Sequence, residues 1–297
     1  MTLASLVLLA INVSMGLIVL ALGLRASFAD ALYLLRRPEL LLRSVLAMNV
    51  IMAIFAGIVS VLFNLHPAVK LTLAALALSP VPPILPAKQE KAGGSAVYVV
   101  ALLVTMAALA IVVVPVGVEL FTMVFGGDVT VPLGKITSVV LISIVAPLVI
   151  GLVIRYLAPA LAERAVRPIS IIGTILLIAA LVPALAKLWP SLVAMVGNGT
   201  LAALALFTLV GLAVGHLLGG PQPEERTVLA LATGTRHPGV ALAIAAAAAP
   251  NESGIIAVVL WHLVVGAIVS TPYVSWRRHG GAALAVLGPS AKSGPRR

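Results

Sequence analysis

The chain has 297 residues, 62% of them hydrophobic and 9% charged, with a formal charge of +10 and no cysteine. A soluble domain is typically about 45–50% apolar and about 25% charged, so this composition excludes a water-soluble protein and describes an integral membrane protein. Lys and Arg sit singly or in pairs between apolar runs, not in a stripe with interleaved aromatics, which excludes nucleic acid; the missing cysteines exclude disulfides, thiolate metal sites and a cysteine nucleophile.

A helix needs about 20 apolar residues to cross about 30 Å of hydrocarbon. Windows of that size predict nine spans in chain order: 3–24, 40–63, 69–92, 95–124, 136–157, 168–189, 196–219, 226–249 and 254–276. Runs such as 240–249 do not alternate in polarity, so a β-barrel is excluded and the expected fold is an all-α integral membrane protein. The first span has no basic leader and no small-residue cleavage site, so it reads as a retained helix, not a signal peptide. Cytoplasmic loops are enriched in Lys and Arg. The loops after spans 1, 3, 5 and 7, with the C-terminal tail, hold fifteen such residues, among them Arg25, Arg37, Arg43, Lys88, Arg155, Arg226 and Arg277, against Lys70, Lys135 and Lys187 opposite. The expected placement is multi-pass in the cell (inner) membrane, with the N-terminus outside and the C-terminus in the cytoplasm. Residues 1–279 form the membrane domain, and 280–297, rich in Gly, Pro, Ser and basic residues, is expected to be a disordered cytoplasmic tail.

Span 3 contains Ser79, Pro80, Pro82, Pro83 and Pro86. A proline inside a helix removes a hydrogen bond and costs about 3 kcal/mol, so an unbroken helix is not expected there. Span 8 contains Thr233, Gly234, Thr235, Arg236, His237, Pro238 and Gly239, with two ionisable side chains near the bilayer midplane. One broken span can be a mere kink. Two breaks five spans apart lie in segments of opposite orientation, which points to an inverted repeat with a midplane site built from discontinuous helices. The freed amides must face protein or a water-filled cavity.

At these residues the chain resembles the bile acid:sodium symporter-like transporters. The segment 224–239, EERTVLALATGTRHPG, aligns without gaps on a motif that ends Glu-x-Gly-x-Gln-Asn-x-Gly in that family. Further matching pieces are Gly23-Leu24, Asn49-Val50-Ile51-Met52, Ser79-Pro80, Gly215-His216-Leu217-Leu218-Gly219 and Trp261-His262. The resemblance implies the nine-helix form of that fold, with two crossing broken helices. A panel would hold 3–24, 136–157 and 168–189; a core would hold 40–63, 69–92, 95–124, 196–219, 226–249 and 254–276. It also implies a sodium site, but the aligned Glu, Gln and Asn positions are Ala232, Arg236 and His237, and the oxygen ligands of the other break become Leu85, Pro86, Val99 and Leu103. Asn49 alone remains a plausible oxygen ligand. Sodium is a hard cation that needs several oxygens, so the fold is expected without its usual cation.

An arginine near the bilayer centre costs from about 3 to more than about 10 kcal/mol, and such residues usually line a pathway or have a partner. Arg236 therefore either receives an anionic substrate, stands where the sodium ion binds, or is held structurally by backbone carbonyls. His237 precedes Pro238 and is expected to cap the second half of span 8, where an anion would be stabilised. Asn49, Ser79, Thr233 and Thr235 complete the candidate substrate-binding set. His216 and His262 are expected to serve packing or interhelical hydrogen bonds, and no metal site or cofactor is expected. Without a Walker segment ATP is not the energy source, and without a Ser-His or paired-Asp constellation an intramembrane hydrolase is disfavoured. The expected function is secondary transport of a small organic anion without sodium coupling, by a protein whose partners are that substrate, membrane lipid and, compatibly, its own copies. The alternatives are a sodium symporter with a rearranged cation site and an anion channel.

Overall fold

The computed structural model describes residues 3–125, 134, 138, 141–249, 252 and 254–286, and among them there are helices and no strands. Besides two short turns of helix, Phe28–Ala31 and Trp189–Ala194, these are in chain order α1 (Leu3–Arg25), α2 (Pro38–Leu62), α3 (Pro67–Leu78), α4 (Leu85–Lys91), α5 (Ala96–Phe125), α6 (Ala146–Leu157), α7 (Pro159–Lys187), α8 (Thr200–Leu218), α9 (Pro223–Gly234), α10 (Pro238–Ala248) and α11 (Ile255–Val286). Six stretches among the described residues are long and apolar enough to cross a membrane: 38–62, 96–121, 159–187, 200–218, 223–248 and 255–279. Leu9–Arg25, Pro67–Leu78 and Ala146–Leu157 are apolar but shorter by that measure.

Several boundaries differ from the expected ones. The helix expected to begin at 168 begins at Pro159 and carries Pro168 and Pro183 inside it. The charged residues Glu163, Arg164 and Arg167, which resemble a loop in sequence, lie on its first turns. The last helix continues to Val286, into the segment expected to be a disordered tail, and 287–297 lies outside the described residues. So does most of 136–140, the expected start of the fifth span, where the described backbone resumes as a π-turn at Leu141–Val145. A second π-turn, Leu46–Ile51, sits inside α2.

The bundle is held by small residues at helix crossings. A Cβ added to Gly215 of α8 would lie 2.4 Å from the Leu229 carbonyl oxygen of α9, and one on Gly211 would lie 2.6 Å from the Gly234 Cα. Gly219, just past α8, meets Arg226 in the same way, at 2.4 Å. These three glycines let the backbones approach closely, in keeping with how membrane helices associate without a hydrophobic drive between them. Gly23 of α1 and Gly151 of α6 form a second such contact, each facing the other helix's backbone. Gly215→Ala is expected to cost about 1–3 kcal/mol, the usual cost of overpacking. Gly16→Ala, where the nearest atom is Pro147 Cγ at 3.8 Å, is the matched control with little change. Thermal midpoints of the two purified variants check the difference.

Two packing groups emerge. Helices α1, α6 and α7 pack on one another, while α8 lies against α9 and α11, and α3 against α2 and α10. The first half-helix α3 meets α10, and α4 meets α9. The pair α3–α4 and the pair α9–α10 therefore pass each other in opposite directions, which sets the geometry of the site.

Candidate functional site at the helix crossing

Both breaks form where proline dictates them. Ser79 precedes Pro80 and is extended, with φ −76° and ψ 148°, so α3 ends there. Pro82 and Pro83 carry no amide proton, and Pro86 falls in the first turn of α4, where none is needed. His237 precedes Pro238 and is likewise extended, with φ −70° and ψ 108°, and its Nδ1 accepts a hydrogen bond from the Val240 amide at 3.3 Å. The expected cap of α10 by His237 is thus present. Gly234 ends α9 where an added Cβ would come within 3.0 Å of the Thr208 carbonyl, so the close pass of α8 requires glycine.

The two breaks touch. The His237 amide donates to the Pro80 carbonyl at 3.0 Å, backbone to backbone. Beside it Arg236 reaches across: Nη1 donates to the Ser79 carbonyl at 3.0 Å and Nη2 donates to the Met48 carbonyl. The side chain is 0% exposed and has no ion pair among the described residues. Met48 lies in the π-turn of α2, and Ser79 is the extended residue that ends α3. The guanidinium is therefore held by two carbonyls, each at an irregular point of its own helix.

Of the other expected site residues, Asn49 adjoins Met48 and has a buried Oδ1 without a partner among the described residues; the Thr235 Oγ1, the Arg236 Nε and the His237 Nε2 are in the same position. Ser79 takes part through its carbonyl, since its hydroxyl donates to Leu76 within α3. The Thr233 hydroxyl donates to Leu229 within α9. Two cavities share Leu78, the residue before the first break, and Phe121. One, of about 710 Å³, runs between α2 and α5, and Asn49 is the one polar side chain that lines it. The other, of about 590 Å³, opens at the start of α3 and is lined by Ser60, Asn64 and Lys70 beside apolar walls.

The family model of the sodium bile acid symporters matches residues 12–191. The chain belongs to the sodium bile acid symporter family. No curated protein matches it. A member of this family is a multi-pass membrane protein of transporter type, and the described helices fit that architecture.

Within the symporter family frame, four of the positions that the resemblance aligns with cation ligands are apolar and enclosed. Leu85, Val99, Leu103 and Ala232 are each at most 2% exposed. The oxygens that converge at the crossing come from the backbone, and the cation they face is Arg236. His262 packs edge-on against Phe207 at 5.7 Å, and its two ring nitrogens have no partner among the described residues. His216 shares a hydrogen bond with the Tyr273 hydroxyl at 2.8 Å, as expected of an interhelical contact.

A second polar cluster was not foreseen from the sequence. Glu225, at the start of α9, is 4% exposed, and its carboxylate accepts from the Tyr33 hydroxyl at 2.7 Å and from Arg37 at 2.9 Å. Arg37 also stacks over the Tyr33 ring, 4.5 Å from its centroid. Burial, and then the hydrogen bond and charge of Glu225, push the Tyr33 phenol up to about 12, so it stays a neutral donor at physiological pH. The cluster ties the 26–37 connection to the broken helix. Nearby, Arg25 at the end of α1 pairs with Glu90 at the end of α4 at 2.6 Å.

Proposed function

We propose that this protein is a secondary transporter that moves a small organic anion across the cell membrane without sodium, with Arg236 as a built-in cation at the crossing of its two broken helices. The observation that carries this reading is the placement of the Arg236 guanidinium, fully enclosed, between the carbonyls of Ser79 and Met48. Carbonyl oxygens are what a hard cation seeks, and here a tethered one occupies them. Full enclosure favours this role over an open anion receptor. Asn49, Thr235 and His237 each keep a buried side-chain atom without a partner among the described residues, which leaves them available to substrate or water.

The reading includes nine membrane segments related by an inverted repeat, with α3–α4 and α9–α10 as the equivalent broken pair. It divides them into a panel, which the mutual packing of α1, α6 and α7 supports, and a core made of the rest. It places the N-terminus outside and the C-terminus in the cytoplasm, with the Lys70 end of α3 facing out. Alternating access then consists of movement of one group against the other around a fixed crossing.

Sodium independence is the direct test. Replacing sodium by choline at constant pH is expected to leave uptake of an organic anion into proteoliposomes within about twofold, since among the family's ligand positions Asn49 alone supplies a side-chain oxygen and a hard cation needs several. A steep, saturable sodium requirement would overturn the built-in cation. Flux that is fast and linear in concentration would mark a channel.

A further inference from the structure

The cavity at the start of α3 contains a charge that the crossing does not use. Lys70 lies in the first turns of α3, is half-buried, and its ammonium has no hydrogen-bond or ion-pair partner among the described residues. Among the described residues no acidic side chain lines this cavity of about 590 Å³, and its other polar side chains are Ser60 and Asn64. Most of the rest of the lining is apolar, with Leu71 and Leu78 on α3 itself, Phe121 on α5 and Ile244 on α10. Leu78 and Phe121 also line the second cavity, whose polar residue is Asn49, so the two cavities are neighbours. Leu78 is followed directly by Ser79, whose carbonyl holds Arg236.

From this geometry we infer that Lys70 is an anion-capture residue at the mouth of the pathway: it binds the charged group of an amphipathic monoanion whose apolar body lies along Leu71, Leu78 and Phe121. An ammonium in a largely apolar recess is stabilised by a carboxylate or sulfonate more than one in open water, because the pair is less screened there. A recess of this size encloses most of a drug-sized ligand and sets its orientation with few polar groups. The charge at one end therefore selects anions, and the apolar wall selects those with a hydrophobic body. The inference rests on the transporter reading and adds a site separate from Arg236. It makes Lys70 the first residue to touch the anion.

The test uses the cysteine-free full-length protein in lipid vesicles, with Ala74→Cys as the single thiol. Ala74 lines the same cavity one helical turn from Lys70. Labelling by a small maleimide is followed with naphthalene-2-carboxylate and, as the neutral counterpart, naphthalene-2-carboxamide. The carboxylate is expected to protect the thiol in the parent. Lys70→Gln should raise its half-protecting concentration by at least about tenfold, as loss of a charge-assisted hydrogen bond implies, while Lys70→Arg stays within about threefold. The carboxamide should be indifferent to both changes. Each variant is compared with its own unliganded labelling rate, which removes any direct effect of Lys70 on thiol reactivity, and thermal midpoints verify folding. Equal protection in Lys70→Gln, or none by the carboxylate in the parent, overturns the inference. Uptake of the same carboxylate into the vesicles separates the two readings: Lys70-dependent protection without uptake preserves this site and sinks transport, and uptake with Lys70-independent protection does the reverse.

Discussion

Arg236→Ala is expected to reduce anion transport by about 100-fold or more while the protein still folds into the membrane, a loss equivalent to about 2.7 kcal/mol. The substitution leaves the Ser79 and Met48 carbonyls without their donor. An unsatisfied buried carbonyl costs about 1–3 kcal/mol. Against this, the variant no longer bears the desolvation of a guanidinium, so the two effects oppose each other in stability and the fold survives. They do not cancel in function, because the positive charge that joins α2, α3 and the α9–α10 break has gone. Arg236→Lys is expected to fall between parent and Ala, since an ammonium keeps the charge but lacks the planar fork that reaches two carbonyls at once. Initial rates of uptake at saturating and limiting substrate check this. A built-in cation predicts a lost maximal rate with anion protection of Ala74→Cys retained, whereas an anion receptor predicts lost affinity. Parent-like transport by Arg236→Ala would reduce Arg236 to a structural residue.

Much of this site is legible in the sequence because proline and glycine act locally. Pro80 and Pro238 force their predecessors into extended backbone, so both breaks and the cap by His237 follow from neighbouring residues alone. Arg236 announces itself by the cost of its position. What holds Arg236 is less legible. The segment LAMNVI contains no breaker, so nothing in it marks the π-turn where the Met48 carbonyl accepts from Arg236. The same limit hides Glu225. Its partners Tyr33 and Arg37 are 192 and 188 positions away, and in sequence the glutamate resembles any charged residue at a helix start. The helix at Pro159–Lys187 illustrates a different failure: Glu163, Arg164 and Arg167 mark the edge of the apolar stretch, and the helix continues past that edge.

Neutralising Glu225 is expected to release one end of the molecule. Both cavities reach toward the start of α3 or along α2, whereas the opposite end, where α1 and α4 finish and α9 begins, is tied by Arg25–Glu90 and by Glu225 with Tyr33 and Arg37. The two ties differ in strength. Arg25 and Glu90 are 47% and 23% exposed, and an ion pair of that kind contributes about 0.2–1 kcal/mol, at most about fivefold in a conformational equilibrium. The Glu225 side chain is 6% exposed and accepts two hydrogen bonds, so loss of its charge weighs more. Leu85→Cys, at the buried start of α4, reports on the opening. With an impermeant thiol reagent applied from the side where α4 ends, Glu90→Gln should raise its labelling rate by at most about fivefold, and Glu225→Gln by about tenfold or more. Arg25→Glu combined with Glu90→Arg should return the rate to the parent's, because the reversed pair restores the same attraction. If both single neutralisations leave Leu85→Cys as inert as in the parent, these ion pairs do not hold that end closed, and the closure must come from the glycine-lined packing of α8 on α9.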